Sequence, residues 1–412
     1  MATVKPFQPY RYSAKAGDPA KLLTQPYDKI SPPMQARYLA ASPYNLVRVI
    51  LGEKRDSDTA ADNVYTRGAQ YFQDWIQQGI LAQDPAPGFY AYFQDFEVPD
   101  SGEHLTRQGF IGLGKVEDYE AGIVYRHEQT LSGPKKDRLQ VLRHSRAHFG
   151  QIFMLYPDRL GSVDRELEQA TQGAPILDVT DEYGARHRLW PVTDPVRVAH
   201  IQSLMEPMKL LIADGHHRYE TALNYRNERP QDPAAQYVMM TFVNMYSPGL
   251  KILSTHRVLR NVEGFTAEKL LSKATGPWSV KTFDSFADLK RELNSAEPQS
   301  VRIGVVLFGA ACLLTRPRQP GELDVPVLHQ EIIGDWLGIG EEAVREEKYI
   351  QYVRGMDAAA AEVREKGAQV AFLLDPTPID DMARVAFDGG VMPQKSTDFY
   401  PKLLTGVTIY RL

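Results

Sequence analysis

Apolar runs of strand length recur early in the chain: "YNLVRVIL", "GFYAYFQDFEV", "GFIGLGKV", "GIVYRHE" and "HFGQIFMLY" lie within residues 44–156, separated by turn-forming residues. One segment among them keeps a different period. In "ADNVYTRGAQYFQDWIQQGIL", residues 61–81, the apolar positions Val64, Tyr65, Ala69, Phe72, Trp75 and Ile76 recur at spacings of three and four, which predicts an amphipathic helix ended by Gly79. Residues 158–200 turn polar and charged and are expected to form a peripheral helix and hairpin, an insertion near 150–200. Next comes "LLIAD", a buried strand by its apolar content, which runs through Asp214 and Gly215 into "RYETALNYRNE", where Tyr219, Ala222, Leu223 and Tyr225 have helical spacing. From about residue 260 a second pattern begins, with helices expected near 266–275, 283–294, 328–337 and 357–367 and strands near 301–308 and 369–374. The whole reads as mixed α/β (α+β) in two domains, 1–260 and 261–412.

Composition narrows the function classes. A net charge of −5 argues against a dedicated nucleic-acid binder, which usually carries a basic excess. The single cysteine, Cys312 in "IGVVLFGAACLL", excludes an internal disulfide and a cysteine-based zinc site and is expected in the core. No apolar stretch approaches the roughly 18 residues of a membrane span, and the first residues lack the apolar centre of a signal peptide, so no membrane association is expected and a cytoplasmic location is.

Chemistry concentrates in a few places. Asp214, Gly215, His216, His217 and Arg218 fall between a strand and a helix, where first-turn amides and the helix dipole favour an anion, most naturally phosphate. Gly215 permits close backbone approach and Arg218 offers a bidentate contact to phosphate oxygens, while Asp214 is a candidate ligand for Mg²⁺ or a partner for a histidine. The competing reading makes Asp214 a helix cap and the histidines turn residues. "YRHEQTLSGPKKDRL", residues 125–139, carries His127, Glu128, Thr130, Lys135, Lys136, Asp137 and Arg138. Alternation along an extended chain sends His127 and Glu128 to opposite sides, so only one is expected to face a given pocket. Glu128 is the natural general base for a hydroxyl, with Asp28 and Asp137 next in line, and Lys135 or Arg138 a natural phosphate partner. "HEQTL" lacks the second histidine of a zinc-protease motif. "MPQKSTDFYPK" offers Lys395, Ser396, Thr397, Tyr400 and Lys402 on an irregular loop able to close over an anionic substrate beside "ADGHHR". "STHRVLR" adds His256 and Arg257 at a strand end, and "QPYDKISPP" reads as a structural turn holding Tyr27 and Asp28.

Taken in order, "PYDKIS", "YRHEQT", "PKKDRL", "LLIADGHHRYETAL", "STHRVL" and "MPQKSTDFYPKL" resemble the bacterial family known as domain of unknown function 1015, over nearly the whole chain. The segment "IADGHHRYETA" also resembles the phosphate-binding strand–turn–helix of the ParB and sulfiredoxin superfamily, whose free serine kinases carry an Asp-Gly-x-His-Arg motif and an upstream carboxylate acting on the serine hydroxyl. The resemblance implies a ParB/sulfiredoxin-like core with insertions; the pattern after residue 260 adds a C-terminal α/β region, whose last loop is expected to return to the cleft because neither stretch alone supplies enough groups to bind both partners of a transfer. It gives Asp214, Gly215, His217 and Arg218 the phosphate role and Glu128 that of the base. It also implies a phosphotransferase acting on free serine or a similar small hydroxyl metabolite, with Mg²⁺ and ATP, ADP or pyrophosphate as donor. The sulfiredoxin cysteine has no counterpart in this turn. A phosphohydrolase using the same cradle, and a ParB-like nucleotide-binding regulator, are the alternatives.

Overall fold

The computed structural model describes every residue except 100, 129–131 and 296, and the backbone alone of 132–134. Thr130 lies outside the described residues. The chain is mixed α/β and divides into two compact units, one made of Met1–Arg126, Thr130–Lys251 and Pro401–Leu412, the other of His127–Gln129 and Ile252–Tyr400.

The first unit is built on a nine-stranded mixed sheet in the order Val124–Tyr125, Leu210–Asp214, Ile152–Tyr156, Tyr237–Asn244, His104–Lys115, Phe89–Glu97, Arg186–Val192, Leu177–Thr180, with Val4–Lys5 added beside His104–Lys115. Alternation decides which side chains go where. Phe89, Ala91 and Phe93, Ile152, Met154 and Tyr156, Leu210 and Ile212, and Val238, Met240 and Phe242 point to one face. There they bury Val163 and Leu167 of helix Ser162–Ala170, Val198, Ile201 and Met205 of Pro195–Met205, and Tyr219 and Ala222 of His216–Glu228. The opposite face carries buried polar groups, including Tyr92, Gln94, Arg107 and His187, and takes the segment Pro401–Leu412. That segment is tied by backbone hydrogen bonds from Thr405 to Thr24, Gly406 to Phe149, Ile409 to Tyr10 and Leu412 to Arg146.

Three expectations change here. "YNLVRVIL" is not a strand but one helical turn, Val47–Ile50, whose Val47, Val49 and Ile50 are all buried; a short, mainly apolar run fits either state. The helix expected within 61–81 and ended by Gly79 starts later, at Val64, because Asn63 and Thr66 close a capping box there; it runs to Gln77, and Gly79 turns the chain at φ 69° as expected. The hairpin expected as a peripheral insertion builds the sheet itself: Arg186 lies opposite Asp95 and Val192 opposite Phe89 along a complete strand pairing.

The second unit has a six-stranded antiparallel sheet in the order Ser279–Phe283, Ala310–Pro317, Ser300–Leu307, Val370–Leu373, Thr255–Leu259, Ile350–Arg354. Helices Phe286–Leu293 and Met356–Arg364 cover one face, and Ala267–Ser272 with Leu328–Trp336 cover the other. All four lie where helical spacing predicts them, although Leu328–Trp336 is wound as a π-helix. Cys312 is 2% exposed on the strand Ala310–Pro317, and burial pushes its thiol up to about 11, so it is a core residue. No helix among the described residues is long and apolar enough to cross a membrane.

Candidate functional site

Strand Leu210–Asp214 is buried over its first four residues, paired on one side with Val124–Tyr125 and on the other with Ile152–Tyr156. Its register shifts between Ile212 and Asp214, so the strand bends as it ends. Gly215 then takes φ 96°, and helix His216–Glu228 begins at once. Glycine is required at this turn by the left-handed backbone, and the missing side chain leaves the space that Arg218 fills: a Cβ would stand 2.8 Å from its Nε and Nη2. The guanidinium is folded back over the turn, donates from Nη2 to Asp214 Oδ2 at 3.1 Å, and lies with Nη1 beside Gly150, where a Cβ would stand 3.3 Å away. From the end of the chain Lys402 brings its ammonium to 3.9 Å from Asp214 Oδ1.

Asp214 is therefore a carboxylate among cations. Burial pushes its carboxyl up, but Lys402, Arg218, Lys29 and His216 together outweigh it and hold the group well below the usual carboxylate range. Among the described residues no group of three or more His, Cys, Asp or Glu side chains is arranged to hold a metal ion. One carboxylate already facing Arg218 and Lys402 does not suit a resident Mg²⁺, which needs oxygen ligands and repels those same cations. The expected metal role of Asp214 is replaced by that of an anchor for positive side chains.

Beside Arg218 opens a small cleft, continuous with solvent. Its polar lining is Tyr27, Arg138, His148, Arg218, Thr221 and Thr405, and its walls are Ile50, Val141, Leu142, Phe149 and Val238. Arg138 stacks 4.0 Å above the Tyr27 ring and donates to the Ile50 carbonyl at 2.7 Å and to Asp137. Burial first, and then Asp28, pushes the Tyr27 phenol up to about 12, so it is a donor at neutral pH. Burial pulls His148 down to about 4, leaving it neutral. Lys135, expected near phosphate, pairs with Glu220 on the helix. Thr221 donates to the carbonyl of His217 at 2.7 Å. Within this unit the structure thus brings together Asp214, Gly215, His216, Arg218 and Lys402, and sets Arg138 in the wall of the cleft that Arg218 also lines.

The second unit holds the other candidates. His127 is fully buried and Glu128 largely so; the His127 carbonyl accepts from the Met392 amide at 2.7 Å. Both side chains converge on Thr397, whose hydroxyl lies 2.8 Å from His127 Nε2 and 3.3 Å from Glu128 Oε1, and His127 and Glu128 are 3.6 Å apart. The expectation that adjacent positions must point apart fails because the strand stops at Tyr125 and the alternation stops with it. Lys395 sits in the left-handed region at φ 59°, its carbonyl accepting from Arg257 at 3.1 Å. Arg257 also donates to the Thr255 carbonyl and to His329, and Ser396 donates to the Pro393 carbonyl at 2.6 Å. His256 is 1% exposed and accepts from the Leu374 amide, so it serves the sheet. Burial pulls Arg257 down to about 10, still charged at neutral pH.

Sequence reading missed Arg107, a fully buried arginine that donates from Nε to Gln94 Oε1 at 3.0 Å and from Nη2 to the Pro401 carbonyl at 2.5 Å, one residue before Lys402. The signal was present: in "TRQGFIGLG" Arg107 is in phase with Ile111 and Leu113, a charge at an inward position.

The model of one family covers most of the chain, from residue 4 to residue 336, and its description is Protein of unknown function (DUF1015). The chain belongs to that family. No curated protein matches it. Solved structures similar to this chain include a free serine kinase in complex with AMP, at 11% identity and a TM-score of 0.37 over 69% of this chain and 89% of that one. A conserved hypothetical protein from Pyrococcus furiosus matches at 11% identity and a TM-score of 0.37 over 70% and 92%. SbnI with C-terminal truncation from Staphylococcus aureus matches at 10% identity and a TM-score of 0.38 over 73% and 87%.

Proposed function

We propose that this protein is a small-molecule phosphotransferase of the cytoplasm, with the donor's phosphates held at the start of helix His216–Glu228. The carrying observation is the convergence of Arg218 and Lys402 on Asp214, at a strand end where Gly215 leaves room for the Arg218 guanidinium to fold over the turn. Phosphoryl transfer demands little covalent chemistry from a protein and much positive charge fixed around the transferring oxygens. Arg218 meets that demand with one edge on Asp214, because its position is set before a ligand arrives and less entropy is lost on binding. Asp214 holds the cations in place. The donor in this reading is a polyphosphate: ATP, ADP or pyrophosphate. The motif resemblance supports a ParB/sulfiredoxin-like reading of the strand–turn–helix and serine, or a metabolite with a similar hydroxyl, as acceptor. Glu128 is the proposed base.

The test is incubation of the purified protein with ATP, ADP or pyrophosphate and pooled amino acids and hydroxyl metabolites, read by mass spectrometry. A phosphorylated metabolite is expected. Release of inorganic phosphate with no phosphorylated product would identify a hydrolase instead. Arg218→Ala should weaken donor binding tenfold or more, on the order of 1.4 kcal/mol, and unaltered donor affinity in that variant would remove the phosphate assignment of the turn.

A further inference from the structure

Behind Lys402 lies a run of buried polar side chains that the phosphate reading does not use. It starts at Asp181, which accepts from Gln25 Nε2 at 3.1 Å, from the amides of Tyr183 and Ala185 at 2.9 and 3.0 Å, and from His187 Nε2 at 3.2 Å. With Nε2–H given to Asp181, His187 Nδ1 is an acceptor, and two donors meet it: the Tyr92 hydroxyl at 2.6 Å and Gln94 Nε2 at 3.2 Å. Both then reach the C-terminal segment. Gln94 Nε2 donates to the Lys402 carbonyl at 2.9 Å, Tyr92 accepts from the Leu404 amide at 3.3 Å, and Arg107, held by Gln94 Oε1, donates to the Pro401 carbonyl at 2.5 Å. Each of these donors faces an acceptor when His187 is neutral, the form that burial favours.

We propose that Asp181, His187, Tyr92, Gln94 and Arg107 are positioning residues that fix the backbone at 401–404 and thereby hold the Lys402 ammonium at Asp214. An apolar core would close this face of the sheet at less desolvation cost, and buried polar networks of this kind are retained where one arrangement must be specified over others. What is specified here is the backbone on both sides of one lysine: the run ends on carbonyls 401 and 402 and on amide 404. The consequence for ligand binding rests on the phosphate reading above; the holding of Lys402 does not.

A double-mutant cycle on the full chain tests it, with inorganic pyrophosphate as the probe. Lys402→Met removes the ammonium, and Tyr92→Phe removes one hydroxyl while keeping the ring, with thermal melting to confirm the fold and Gln94→Leu as the substitute where Tyr92→Phe does not fold. Tyr92→Phe should weaken pyrophosphate binding by about three- to tenfold alone and by less than about twofold in the Lys402→Met background, because coupled residues are non-additive. Equal losses in both backgrounds overturn the proposal. A second readout needs no phosphate: the rate at which an amine-directed acylating reagent modifies Lys402, followed by mass spectrometry with Lys251 as the internal reference. That rate should rise at least about threefold in Tyr92→Phe, since Lys402 is 10% exposed and Lys251 38%. An unchanged rate overturns the proposal. Wild-type protein that binds no pyrophosphate is carried through the same cycle with ADP; binding of neither sinks the phosphate reading, and the acylation rate then decides the network by itself.

Discussion

Gly215 and Glu128 make separate demands on a single position. At Gly215, φ 96° and a Cβ contact of 2.8 Å with Arg218 mean that alanine is strained and also pushes the guanidinium off the turn. Gly215→Ala should therefore lower stability by about 1–3 kcal/mol and weaken donor binding as well, measured by denaturant melts and by titration with ADP. Glu128→Gln keeps shape and hydrogen bonding toward Thr397 and removes only the proton acceptor. Turnover should fall by about 10²–10⁴ with donor affinity nearly unchanged; full activity in the variant would move the base elsewhere. At this scale the sequence was legible where chemistry follows local order. An apolar run meeting Asp-Gly and then helical spacing implies the turn and its charges. It was not legible where the partner comes from far along the chain: Arg107 meets Pro401, and His127 and Glu128 meet Thr397, through pairings between segments that no local period encodes.

The helices and strands show the same division. Helix Val64–Gln77 announces itself by spacing and by its capping box, and Asn63→Ala, which deprives the amides of Tyr65 and Thr66 of their acceptor, should cost about 1 kcal/mol in a thermal or chemical melt. By contrast "YNLVRVIL" became a helical turn because short apolar runs satisfy either period and burial around Leu46, Val49 and Ile50 decides between them. The hairpin Leu177–Val192 looked peripheral because its outer strand is polar; the inner strand shows its place only through Leu189, Trp190 and Val192, which are buried. The segment Pro401–Leu412 has almost no regular structure, yet Leu403, Leu404, Val407 and Ile409 are buried. Its turns at Pro401 and Gly406 were readable, and its course across a sheet face was not.

For the molecule as a whole, acid stability follows from buried histidines. Burial holds His148 near 4 and lowers His187 in the first unit, and holds His256 near 4 and His329 near 3 in the second. Each has a folded pKa below its unfolded value of about 6.5, so the unfolded chain takes up protons that the folded chain refuses, and stability falls as pH drops from about 6.5 toward 4. Carboxyls raised by burial act in the opposite sense over part of that window: Asp164 in the first unit, and Asp324, at about 6, with Asp375 in the second. Asp324, held up to about 6, offsets the second unit's histidines inside that window, which predicts that the first unit loosens first. Amide hydrogen exchange at pH 5 and pH 7, corrected for intrinsic rates, should show a larger loss of protection in residues 1–126 and 132–251 than in 252–400.

The composition of the first unit from separated stretches also sets an order in time. Residues 401–412 are translated only after the entire second unit, so the sheet face bearing Tyr92, Gln94 and Arg107 waits for its cover on the order of ten seconds at the usual ~5–20 residues per second of synthesis. During that interval the turn at Asp214 already exists in sequence while the lysine that joins it does not. A chain cut short anywhere within the second unit therefore carries the turn without Lys402, and leaves a sheet face built for burial open to water. The segment 401–412 thus makes the completion of the charged turn wait for the synthesis of the second unit.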